Sequence, residues 1–240
     1  MSDFSPGAVL RRSLALWGRN FATFAAVVIA VQSPAIVLAA FWAMATDGTV
    51  EPSRALWAIS SLLGAVASGA LTAGALRGMR GEPARAGEML LVGFRRLWMV
   101  IPVTVVAQVA VTLGLVLLVV PGLALAAGLW VAVPAAVTER WEGTSDALTR
   151  SWELTKGRRW KVLAVALVAV VVALGGALVV SAALEEIAAA GASRPVVAAL
   201  DQAATAIAWG FLAVCAAVSY HDLRVAREGP DFERLAAVFE

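Results

Sequence analysis

The sequence predicts an all-α integral membrane protein with six transmembrane helices. Of its 240 residues, 61% are hydrophobic and 15% charged, whereas soluble domains run nearer half apolar and a quarter charged. The apolar residues fall in long runs between short polar stretches, so the excess belongs to a bilayer rather than to a large core. The cations are lopsided. With the N-terminus inside, 17 of the 19 Lys and Arg residues lie on the cytoplasmic side and only Arg54 and Arg194 lie outside. Lys and Arg are retained in the cytoplasm, so this asymmetry sets the threading, with both termini inside, and losing one span would scramble it. Residues 1–240 form a single six-span domain on this reading.

Residues 4–20 form a surface helix. Ser5-Pro6 is a start signal with Pro at the first helical position, and Leu10, Leu14 and Trp17 share a face. The first span covers 21–45, with Pro34 inside it to kink it. Ala43-Met44-Ala45 has the form of a signal-cleavage site. However, the run from Phe21 to Ala45 is 25 residues long, against roughly 7–15 for a signal core, so it is kept as a span. A polar turn at 46–55 leads to the second span, 56–76. There Ser60, Gly64, Ser68 and Thr72 recur every four residues as a ridge suited to close helix approach.

Residues 77–96 are polar and basic. The third span, 97–120, carries Thr104, Gln108 and Thr112 on one stripe, read as interhelical hydrogen bonding. Val119-Val120-Pro121-Gly122 makes an uncharged turn into a short fourth span, 123–138, with a second ridge at Ala124, Gly128, Ala132 and Ala136. The longest polar stretch follows, 139–161. Thr144 or Ser145 caps a short helix there, and Asp146 sits in its first turn. Gly157 ends that helix in a left-handed conformation. Leu148, Ser151, Trp152 and Thr155 share one face, with Arg150 and Glu153 on the other. A basic elbow, Gly157 to Lys161, feeds the fifth span, 162–184. A polar stretch at 185–202 precedes the sixth span, 203–219. The tail, 220–240, reads as a short helix, a break at Gly229-Pro230, and a second short helix.

The chain also echoes itself. Leu10-x-Arg12-Ser13-Leu14-x-Leu16 resembles Leu148-x-Arg150-Ser151-Trp152-x-Leu154, and each precedes a Gly-Arg-x-aromatic elbow; Phe94-Arg95-Arg96-Leu97-Trp98 is a weaker copy. This predicts three helical hairpins, each preceded by a cytoplasmic surface helix. The alternative is that any inward-facing span entrance collects Arg and Trp as interfacial anchors.

Composition excludes several functions. A net charge of +2 is too small for nucleic-acid binding. The lone Cys215 excludes an internal disulfide and a multi-cysteine metal site, and the lone His221 argues against a His-based site. No cofactor or metal is expected. No Asp, Glu, Lys, Arg or His falls mid-span, which argues against ion-coupled transport. Glu139, Glu142 and Asp146 are read as partners of Arg140, Arg150 or Arg158 rather than as metal ligands. Arg150, Trp152, Lys156, Arg158, Arg159 and Trp160 combine cations with aromatic anchors at headgroup depth, so they are the candidate lipid-headgroup residues. Ser60, Gly64, Ser68 and Gly128 are the candidate helix-packing residues.

Pro121-Gly122, Trp130, Pro134, Glu139, Gly143, Ala147-Leu148, Arg150-Ser151-Trp152-Glu153-Leu154, Lys156-Gly157 and Arg159-Trp160 together resemble the membrane domain of some bacterial glycerophosphoryl diester phosphodiesterases, a pattern also found in stand-alone bacterial membrane proteins of unassigned function. The tail Tyr220, Asp222-Leu223-Arg224, Glu228-Gly229 and Asp231 is similar too, although a second aromatic is common in that family at His221. The similarity covers 120–235 well and the first half in architecture only. It implies a six-span domain in a bacterial cytoplasmic (inner) membrane. The catalytic barrel that some members carry has no counterpart in these residues, so the resemblance implies no hydrolysis. The expected function is a non-catalytic module that organises or binds phospholipids or partner membrane proteins, with homo-oligomers forming through the small-residue ridges. The alternative is a transporter or channel for a lipid or small solute, and a lipid-modifying enzyme ranks last.

Overall fold

The computed structural model describes residues 4–46, 54–139 and 143–229. Among these the chain forms α1 (Pro6–Arg19), α2 (Phe21–Ala45), α3 (Arg54–Met79), α4 (Ala86–Arg95), α5 (Leu97–Leu117), α6 (Val119–Leu129), α7 (Ala132–Thr138), α8 (Thr144–Thr155), α9 (Arg159–Ala189) and α10 (Arg194–Glu228). Six segments are long and apolar enough to cross a membrane: α2, α3, α5, α6 together with α7, α9 and α10. The protein is thus an all-α multi-pass membrane protein. The expected loop at 46–55 and the end of the tail fall largely or wholly outside the described residues.

Three units follow one another, each a short helix and then a hairpin: α1 with α2–α3, α4 with α5–α7, and α8 with α9–α10. They close into a ring. α3 packs on α5, α6 on α9, and α10 back on α2; in the same sense α4 docks on α3, α8 on α6, and α1 on α10. A glycine sits at each docking point. A Cβ at Gly74 would overlap Met89, one at Gly128 would overlap the Trp152 ring, and one at Gly210 would come within 3.2 Å of Trp17. Lipid gives little hydrophobic drive between helices, so such close approach is what holds them together.

The sequence echo has a structural counterpart. Val9, Ser13 and Leu16 of α1 are buried, as are Ala147, Ser151 and Leu154 at the matching places of α8. This corrects part of each expected face: Ser151 and Thr155 lie inward together as their spacing indicated, but Leu14 and Trp152 do not. Leu14 is 52% exposed and Trp152 sits at the rim, while the serines turn inward. Neither short helix floats on the surface; each is wedged against the bundle by a buried serine together with apolar side chains, Val9 and Leu16 in α1 and Ala147 and Leu154 in α8.

Several boundaries also move. The turn expected at 119–122 is the single extended residue Leu118. Pro121 lies in the first turn of α6, where a missing N–H has no helical partner to lose. Gly114 and Gly122 then let the two arms of that hairpin touch. α9 and α10 run through the expected outer loop, leaving a turn at 190–193 centred on left-handed Gly191. Residues 220–228 are no separate helix but the end of α10, which stops at Gly229, where φ is +83°. At 1.5 Å per residue α10 is ~52 Å long, well beyond a ~30 Å hydrocarbon layer.

Breaks within spans free carbonyls, and lipid offers them no donor. α2 continues through Pro34, which cannot donate to the carbonyl of Ala30; the Ser33 hydroxyl donates to it instead, at 2.9 Å. The fourth span is interrupted at Trp130–Val131. Pro134 explains the break, because its ring clashes with the carbonyl four residues back. The Gly128 carbonyl, in the last turn of α6, then accepts from Ser151 Oγ at 2.8 Å and from Thr155 Oγ1 at 3.4 Å. Thus α8 is fastened to the fourth span through a backbone group that the span cannot satisfy itself.

Removing these donors should be costly in steps. Ser151→Ala should destabilise the fold by about 1 kcal/mol, because Thr155 takes over, while Ser151→Ala with Thr155→Val should cost about 2–3 kcal/mol by leaving the carbonyl bare. Denaturant titration in mixed micelles measures both.

Candidate functional site

The last turn of α8, the elbow 156–158 and the first turn of α9 enclose an open groove of about 420 Å³, lined by Trp152, Glu153, Lys156, Gly157, Arg159 and Trp160. Its shape begins with Gly157. α8 stops when the Arg158 N–H turns back to the Thr155 carbonyl at 2.9 Å, and Gly157 takes φ +82°, a conformation that other residues adopt only with strain. The chain reverses there, so the N-terminus of α9 lies beside the C-terminus of α8. From α10, Arg227 Nη2 donates to the Lys156 carbonyl at 3.3 Å and holds the elbow from the other side.

Trp152 forms one wall. Gly128 lets its ring lie flat on the fourth span, and the Arg159 guanidinium stacks over it with Cζ 3.6 Å from the ring centroid. That contact contributes about 0.5–1 kcal/mol near a surface and fixes a cation over the groove. Arg159 Nε is buried without a partner among the described residues. Trp160, 78% exposed, stands on the opposite rim. The free N–H groups at the start of α9 add the positive end of a helix dipole. Glu153 is the acidic residue on the rim.

The cations expected at this site separate into two groups. Lys156, Arg158 and Arg159 form no ion pair with any carboxylate among the described residues, and Lys156 and Arg159 line the groove with Arg158 adjoining it in the elbow. Arg150 is different, and this corrects its assignment to the headgroup set. Its guanidinium bonds Glu139 at 3.1 Å and also Glu228. Glu228 in turn bonds Arg224 at 2.8 Å, and the Tyr220 hydroxyl donates to Glu139 at 2.5 Å. Burial disfavours the charge on Arg150, but the bonds and charges of the two carboxylates outweigh it and hold its pKa above the ordinary value. Arg150 therefore clasps α7, α8 and α10 together. Arg12 is the matching residue in α1, and it pairs with Asp222 of the same helix α10 at 2.5 Å.

Two of the carboxylates of this stretch, Glu139 and Asp146, are engaged within the fold. Glu139 pairs with Arg150, as expected, whereas Asp146 accepts the Gly143 N–H at 3.1 Å as a helix cap; Arg140 and Glu142 lie outside the described residues. Among the described residues no three His, Cys, Asp or Glu side chains gather as a metal ligand set would.

The packing residues act within the chain. The Ser60 carbonyl accepts from Gln32 Nε2 and its hydroxyl from Gln202 Nε2, both at 3.2 Å. Gly64 faces the Gln32 amide, Ser68 bonds the Ala65 carbonyl, and Gly128 is covered by Trp152. Ser60, Gly64 and Gly128 thus make contacts between helices of the same chain, and Ser68 bonds within its own helix. Glu228 and Tyr220 were not assigned to this region from the sequence, and Gly128 was read as a helix-packing residue without its partner Trp152. An Arg224–Glu228 spacing of four in a helical tail was the available signal for the clasp.

The chain matches no family model, no curated protein and no solved structure.

Breaking the clasp should be severe. Arg150→Met strands Glu139 and Glu228 and should lower stability by about 3 kcal/mol. Arg150→Lys should recover little, since an ammonium lacks the fork that spans two carboxylates. Thermal unfolding in detergent, followed by tryptophan fluorescence, measures both.

Proposed function

We propose that this chain is a non-catalytic module of a bacterial inner membrane that holds anionic phospholipid headgroups in the groove between α8 and α9. The observation that carries this reading is the division of cations. Arg150 and Arg224 are neutralised by Glu139 and Glu228, while Lys156, Arg158 and Arg159 are left for an outside anion. Trp152 and Trp160 flank them, and tryptophan favours headgroup depth. A phosphodiester there meets two or three cations and the N–H groups of a helix start, and its acyl chains lie along the apolar outer face of α9, where Leu167, Val171 and Leu174 are exposed. A cytoplasmic leaflet rich in anionic lipid is the natural source of such a ligand.

Both termini are cytoplasmic on this reading, because the basic elbows stay on the side of synthesis. It also sets the chain beside the membrane domain of the glycerophosphoryl diester phosphodiesterases that its central stretch resembles. Ser193→Cys, in the turn at 190–193, should then be labelled from outside the cell, and Lys156→Cys from inside only; both positions are exposed.

Lipid retention is the direct test. The protein in phosphatidylcholine nanodiscs doped with phosphatidylglycerol should enrich phosphatidylglycerol around itself. Lys156→Gln, Arg158→Gln and Arg159→Gln should each weaken this about fivefold, the equivalent of ~1 kcal/mol per charge, and high salt should do the same. Unchanged enrichment in the triple variant would overturn the proposal. Solute flux in proteoliposomes would favour a transporter instead.

A further inference from the structure

The three glutamines of the chain lie in different surroundings. Gln32 is buried and donates to the Ser60 carbonyl; Gln202 is half-buried and donates to the Ser60 hydroxyl. Gln108 stands near the middle of α5 and is exposed, with no hydrogen-bond partner among the described residues. The interhelical hydrogen bond expected of it is therefore not formed within the chain. Thr112, one turn on, is exposed on the same stripe, and the Thr104 hydroxyl, one turn back, is buried without a partner. α5 is also the least enclosed of the six spans: 17% of its apolar window is buried, against 39–61% for the others.

We propose that two copies of the chain associate through this face of α5, with Gln108 pairing to Gln108 of the second copy. Hydrocarbon offers an amide no partner, so an outward Gln at mid-span seeks another polar group. A second copy supplies that group at the right depth. All copies insert with the same orientation, so a two-fold axis along the bilayer normal sets the two α5 helices parallel and brings like residues level. A primary amide both donates and accepts, which makes it its own complement. The face carries no charge that would call for an oppositely charged partner. Val105 and Val109, 44% and 52% exposed, flank Gln108 with the β-branched shape that suits a parallel pair, and a single polar residue in such a seam fixes register.

The full chain, reconstituted in liposomes over a range of protein-to-lipid ratios, tests this by single-molecule photobleaching. Wild type should pass from dimer to monomer on dilution. Gln108→Leu should shift that transition toward monomer by about three- to twentyfold, the range spanned by measured interhelical hydrogen bonds in bilayers. Gln108→Asn, which keeps the amide, should shift it less. Val105→Cys should form an oxidative cross-link between copies, whereas Leu178→Cys on the exposed face of α9 should not; Cys215 is fully buried and does not interfere. A wild type that stays monomeric at every ratio would overturn the proposal. So would a Gln108→Leu variant that associates as well as wild type, or cross-linking through Leu178 rather than Val105.

Discussion

A backbone carbonyl inside a bilayer must find its donor within the protein, and the end of this molecule that carries α8 is built on that requirement. Pro134 interrupts the fourth span, and the Gly128 carbonyl above the break turns to Ser151 and Thr155. Those hydroxyls fix α8 in depth and rotation. Trp152 then lies on Gly128, Arg159 stacks on Trp152, and the groove follows. A regular fourth helix would have satisfied its own carbonyl and left α8 without its anchor. The same rule operates on a smaller scale at Pro34, where Ser33 mends the bond that proline removes.

Ion pairs perform the second fastening. The three units share a plan, but the third closes the ring. Its α10 packs along α2, carries Asp222 for Arg12 and Glu228 for Arg150, and so holds the short helices of the first and third units at once. These pairs lie at the polar end of the molecule, where charges need not be carried into hydrocarbon. Within the apolar layer the contacts are instead glycine against aromatic or methionine, and amide against serine.

Much of this was legible in the sequence. Hydropathy located the six spans as apolar runs bounded by polar stretches, although the fourth was read too short, and the Gly-Arg elbows marked where α1 and α8 end. The buried faces of α1 and α8 were legible in part. Ser151 and Thr155 lie inward together as their spacing indicated, and Leu16 and Leu154 join the interior, but Leu14 turns outward, where lipid is as apolar as the core, and Trp152 covers Gly128 from the rim. The separate fate of Arg150 was hidden because its partner Glu228 is 78 residues away; nothing in the local run distinguishes it from Arg158. The break at Trp130 was masked by unbroken hydrophobicity, although Pro134 marked its place. Gln108 was recognised as unusual, but only the packing reveals that its own chain leaves it unanswered.

The length of α10 has a mechanical corollary. One continuous rod reaches from the outer turn through the bilayer to the clasp, and at its tip Arg227 steadies the elbow carbonyl of Lys156. Any tilt of this rod would carry Glu228 and Arg227 together, because both lie in its last turn. The clasp on Arg150 and the support under the elbow therefore hang from one and the same helix end.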